Sequence, residues 1–165
     1  MRLPRRAFLL LPLALAACAR PGQPFASVAA TIPPVPQGMA RVFFYRWLEP
    51  YETVAPTTAY LNGKPVGVLE VGAIIYRDVA PGQYLISVRS DEPYPDQFKT
   101  VVLKPGEVVY ARVESLKSWS TCGGSGGGSD GGGGSASGCR DTFVVVIMDP
   151  ALARAEIGGL LFTQG

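Results

Sequence analysis

From residue 39 onward the chain is cut into short apolar and β-branched runs by turn-forming pairs, and no stretch carries a helix-length amphipathic repeat until residue 149. The runs are ARVFFYRWL (40–48), Thr57–Leu61, Pro65–Leu69, Ala73–Val79, Gln83–Arg89, Phe98–Leu103, Val108–Leu116 and Thr142–Met148. Such runs, rich in Val, Ile, Phe and Tyr, read as strands. Between them stand Asn62-Gly63, Pro81-Gly82 and Pro105-Gly106, pairs that accept the backbone angles of tight turns. With no helix between successive strands, a parallel α/β sheet is excluded. The expected fold is all-β: a single antiparallel β-sandwich of about seven or eight strands. A short C-terminal helix completes it. Asp149 supplies an N-cap, Pro150 the first turn, ALARAEI the body, and Gly158-Gly159 the stop.

The first strand carries two apolar faces. Val42, Phe44, Arg46 and Leu48 lie on one, and Arg41, Phe43, Tyr45 and Trp47 on the other. Period-2 alternation then implies a central strand covered on both sides. TFVVVIM (142–148) is continuously apolar and reads as a buried core strand.

The opening MRLPRRAFLLLPLALAAC fixes an address. Arg2, Arg5 and Arg6 form a cationic head, and the apolar run Ala7–Ala17 is too short to span a bilayer, which takes about 20 helical residues. This is the pattern of an export signal. Its end, Leu15-Ala16-Ala17-Cys18, resembles the bacterial lipobox. The resemblance implies cleavage after residue 17 and a lipid anchor on Cys18. Ala19, rather than Asp, follows that cysteine, which by resemblance to sorted lipoproteins implies the outer membrane, facing the periplasm. Arg5-Arg6-Ala7-Phe8-Leu9 also resembles a twin-arginine export motif, so either export route remains open.

The address alters the meaning of the composition. Three of the 15 basic residues lie in the signal, against 13 acidic residues in the whole chain, so the mature charge is about −1. No basic patch remains to recruit nucleic acid. With Cys18 lipidated, Cys122 and Cys139 are left as one pair in an oxidising compartment, and a disulfide between them is expected. Residues 18–38, with Pro33-Pro34-Val35-Pro36, read as the lipidated cysteine and a proline-rich tether of extended geometry. The domain proper is residues 39–165.

The insert CGGSGGGSDGGGGSASGC (122–139) is not a phosphate loop, because it has no lysine and a strand follows it. Zinc needs about four ligands, and the chain contains no histidine. The insert reads as a surface loop closed by a disulfide, provided the strands at 108–116 and 142–148 pair as neighbours.

RVFFYR followed by YLNGKPVGVLEVGAIIYRDVAPGQYLISV resembles the DUF2846-type domain of bacterial lipoproteins, with PEGA-like or prealbumin-like sandwiches, over about residues 40–115. The shared features are the aromatic-Arg strand, the Asn-Gly-Lys hairpin and the Pro-Gly-x-Tyr turn. The resemblance implies a lipoprotein sandwich and no particular activity.

No catalytic constellation is legible: no Gly-x-Ser-x-Gly stands at the strand-to-helix turn that makes a nucleophile elbow, and no serine has a plausible base. No metal site and no cofactor are expected. Asp91, Glu92 and Asp96, with Tyr94, read first as a solvated acidic loop and only second as a cation site. Arg46 and Arg77 each follow a tyrosine and have Glu70, Asp78 or Glu114 as prospective ion-pair partners. Tyr45, Arg46, Trp47 and Arg77 form the expected partner surface. The expected function is that of a membrane-anchored, non-catalytic accessory or protein-interaction module of the bacterial envelope. The alternative is a glycan- or peptidoglycan-binding module presenting a ring strip, Tyr45 with Trp47 or Tyr51 with Tyr94.

Overall fold

The computed structural model describes residues 22–47, 54–90, 97–115 and 142–163. At its centre lies β2 (Ala40–Tyr45), buried at every position. Two hydrophobic clusters meet across it, as the alternation of its side chains requires. Val42 and Phe44 enter one cluster, and Phe43 and Tyr45 the other.

The described chain is mostly β, with ten strands in two sheets. The first sheet has the order β1 (Gln23–Pro24), β10 (Leu161–Phe162), β5 (Ala73–Val79), β2, β8 (Val108–Ser115), β9 (Phe143–Met148). The second has the order β4 (Lys64–Leu69), β3 (Thr57–Leu61), β6 (Gly82–Val88), β7 (Phe98–Leu103). The β3–β4 hairpin turns on Asn62 and Gly63, at φ 50° and 74°. Both lie in the left-handed region that a two-residue turn of this kind needs, which asparagine and glycine tolerate best.

Both sheets contribute to the larger cluster. Phe44, Ile75, Val113 and Val145 of the first sheet join Leu61, Leu69, Ile86 and Leu103 of the second. Complete burial of each such side chain contributes about 1.5–3 kcal/mol before entropy is counted. The smaller cluster lies on the opposite face of the first sheet. There Phe43, Tyr45, Ile74 and Tyr110 are covered by Ala153, Ile157 and Leu160. The helix α2 (Pro150–Ile157) supplies the first two of these covering residues, four apart and so on one face. Asp149 caps it, its Oδ1 accepting from the Ala151 and Leu152 amides at 2.8 and 3.3 Å.

Two expectations need correction. The first sheet is mixed rather than antiparallel: β2 runs parallel to β8, and β10 parallel to β5. The chain leaves β2 for the second sheet and comes back to this one as β5. It leaves again for β6 and β7, then returns as β8. A neighbour reached across the other sheet is free to run in the same direction, whereas a hairpin partner is not.

The second correction concerns the proline-rich tether, whose described part lies on the domain. Residues 23–31 form β1, the short helix α1 (Phe25–Val28) and a 3₁₀ turn. The Phe25 amide donates to the Leu160 carbonyl at 2.6 Å, and its ring meets Phe43 edge-on with centroids 5.7 Å apart. An aromatic residue with a vacant place over an apolar sheet face outweighs the extended preference of the neighbouring prolines. β1 and β10 account for the strands beyond the expected seven or eight. Residues 1–21, with Cys18, lie outside the described residues.

Candidate interaction surface

The four residues expected to form a partner surface are not brought together. Tyr45 and Arg46 have no exposed surface, so neither meets a partner directly. The Tyr45 hydroxyl donates to Glu156 Oε2 at 2.6 Å. Arg46 Nη1 donates to the carbonyls of Ala55 (2.7 Å) and Leu69 (3.3 Å), and its guanidinium lies 5.0 Å from the Phe143 ring centre. Trp47 is 42 % exposed. Arg77 is exposed too, with Nη2 donating to the Val66 carbonyl at 2.8 Å. Burial of Tyr45 also removes the Tyr45–Trp47 ring strip. Tyr51, Tyr94, the Asp91–Asp96 loop, and Cys122 and Cys139 lie outside the described residues. The condition for closing the glycine insert is met: β8 and β9 are antiparallel neighbours, ending at the pair Ser115 and Phe143.

Two of the carboxylates expected to serve Arg46 and Arg77, Asp78 and Glu114, go elsewhere. β2 sets Arg41 opposite Asp78. Arg41 grips that carboxylate with Nε at 2.6 Å and Nη2 at 2.8 Å, and its Nη1 donates to the Pro33 carbonyl at 2.8 Å. The guanidinium also lies 4.1 Å from the Tyr76 ring centre. The hydrogen bond it donates to Asp78 is the main influence raising its pKa above the usual arginine value.

A second group was not foreseen. Arg112 bonds Glu156 Oε1 through Nη1 at 2.9 Å and pairs with Glu114 through Nη2. Glu156 thereby joins Tyr45 to Arg112 and ties α2 to the first sheet. Burial, then the bond to Glu156, pushes the Tyr45 hydroxyl well above the ordinary tyrosine value. Tyr45 is therefore a proton donor held in place, not a base. The sequence does give the i, i+2 placement of Arg112 and Glu114 on one strand face. What it lacks is any sign that α2 crosses that face.

Among the described residues, a surface open to a partner is the outer face of the second sheet. Ile86 and Val88 of β6 and Leu61 of β3 point into the larger cluster, so the alternate residues point away from it. Register aligns Pro65, Tyr60, Ser87 and Phe98 in one row, with Leu85 beside Thr100 and Gln83 beside Val102. Phe98 is 56 % exposed and Val102 65 %; Leu85 and Val68 are exposed as well. The only charged residues in these four strands are Lys64 and Lys99. By contrast, α2 and the segment around Phe25 cover the outer face of the first sheet.

No family model, curated protein or solved structure matches this chain.

Proposed function

We propose that the chain is an envelope lipoprotein whose folded domain, a single β-sandwich, acts as a non-catalytic protein-interaction module. Cys18 carries the lipid and holds the domain at the outer membrane, facing the periplasm. The observation that supports an interaction role is the outer face of the second sheet, which no described residue covers. There, Leu85, Phe98 and Val102 are exposed together on neighbouring strands that carry lysine and no carboxylate. Single exposed apolar residues are ordinary, but a contiguous group marks a contact surface. Exposed aromatic residues of this kind become anchors when a partner desolvates them.

The test is site-specific photo-crosslinking in intact envelopes. A crosslinker at position 98 should give one reproducible protein adduct. The same group at Arg154, on the exposed side of α2, should not. Leu85→Glu should abolish the adduct. Equal labelling from both positions, or an adduct indifferent to Leu85→Glu, contradicts the reading.

A further inference from the structure

The first sheet has an unfinished edge. β10 covers β5 for two residues only, Leu161 beside Ala73 and Phe162 beside Ile74. The Arg46 amide bonds the Ala73 carbonyl at 3.0 Å, so the odd-numbered residues of β5 direct their main-chain groups to β2. The even-numbered residues direct theirs to the other side, as the Thr163 amide shows by bonding the Ile74 carbonyl at 3.1 Å. Beyond that bond, the Tyr76 carbonyl and both main-chain groups of Asp78 point outward, and no described residue bonds to them.

These groups open into a cleft of about 440 Å³. Ile32 and Pro33 form one wall, Phe162 and Thr163 another, and Tyr76 to Asp78 the floor. The Tyr76 and Phe162 rings stack with centroids 5.9 Å apart, giving the cleft an apolar side. The Asp78 carboxylate is taken up by Arg41. On the opposite face of the strand stands the exposed Arg77.

We propose that this cleft accepts an extended segment of a second polypeptide, added to β5 as a further strand. Outward carbonyl and amide groups along a strand edge are matched by another extended backbone and by little else. Side chains of an added strand alternate between faces. Those on one face meet Tyr76, Phe162 and Ile32, and so are apolar. Those on the other pass Arg77, and so are acidic. The occupant is therefore a short extended peptide of alternating apolar and acidic residues. This site depends neither on lipidation nor on the face around Phe98.

The probe is the capped pentapeptide acetyl-Glu-Val-Glu-Val-Glu-amide, titrated into the ¹⁵N-labelled full chain. Saturable shifts are expected at the amides of Ile32, Tyr76 and Asp78. The peptide with alternate amides N-methylated should not bind, because it lacks the ladder donors. Replacing Glu by Lys should weaken binding about fivefold, in keeping with one exposed charge contact reversed in sign. Arg77→Gln should remove that discrimination while leaving the Glu peptide bound. The proposal is overturned if the Glu peptide gives no saturable shift, if the N-methylated peptide binds equally well, or if the shifts fall on the edges β4 or β7. Equal binding of the Glu and Lys peptides to the unaltered chain overturns the acidic preference.

Discussion

Replacing Tyr45 by Phe removes one oxygen and tests the latch between α2 and the first sheet. Tyr45 is fully buried, and its hydroxyl donates to Glu156 Oε2 at 2.6 Å. A hydrogen bond to a charged acceptor contributes about 1.5–3 kcal/mol. Glu156 keeps Arg112 after the substitution, and its side chain is 14 % exposed, so water reaches part of the orphaned carboxylate. Both facts place the loss near the lower end, about 1.5–2 kcal/mol. For a domain of this size that is roughly 4–8 °C in Tm.

The pH dependence gives the same experiment a second arm. Tyrosine ordinarily titrates near pH 10, and in the folded protein Tyr45 is held above that value. From about pH 10 upward, the unfolded chain releases a proton that the folded chain retains. Folding then binds protons, so stability falls as pH rises, by up to about 1.4 kcal/mol per pH unit. The contribution is complete below pH 10 and absent from Tyr45→Phe. Urea unfolding followed by circular dichroism should therefore show the full advantage of the unaltered protein at pH 7–9, shrinking above pH 10. A variant within about 0.5 kcal/mol of the parent at pH 7, or an advantage constant from pH 8 to 11, would refute the reasoning.

Three further outcomes are expected. Phe44→Ala, at a position with no exposed surface between the sheets, should cost about 3–5 kcal/mol in denaturant unfolding, because the cavity there is walled by both. Asp149→Ala removes both cap bonds of α2 and should cost about 1 kcal/mol, with Asp149→Asn recovering most of it. Non-reducing peptide mapping of periplasmic material should recover Cys122 joined to Cys139. Two free thiols there would show that the glycine insert is not closed.

Much of the strand pattern was readable because it is written locally. Asn62-Gly63, the alternation along residues 40–45 and the cap-proline pair Asp149-Pro150 each act within a few residues, and the elements they mark occur where those signals stand. The sequence also separated the two faces of β2 correctly, since period-2 alternation leaves no other arrangement. The readings that failed were decided by distant partners. Parallel pairing of β2 with β8 depends on the route the chain takes through the second sheet. The docking of Phe25 depends on an apolar face assembled from β2, β5 and β8.

The candidate surface was misread for the same reason. Tyr45 and Arg46 look presentable on an aromatic strand, yet Glu156 lies 111 residues from Tyr45 and Leu69 lies 23 from Arg46. Only the fold shows that these partners draw both side chains inward. Conversely, Phe98 and Leu85 are not among the residues expected at a partner surface. Their exposure follows from which face of the second sheet the larger cluster occupies.

Everything proposed about where this domain acts depends on its amino terminus. Intact-mass analysis of the protein purified from membranes, after growth with labelled palmitate, examines that directly. The account predicts a chain beginning at Cys18, heavier than its polypeptide by a diacylglycerol and an amide-linked acyl chain, and unlabelled once Cys18→Ser is introduced. An unlabelled chain of unmodified mass, recovered in the cytosolic fraction, would contradict it.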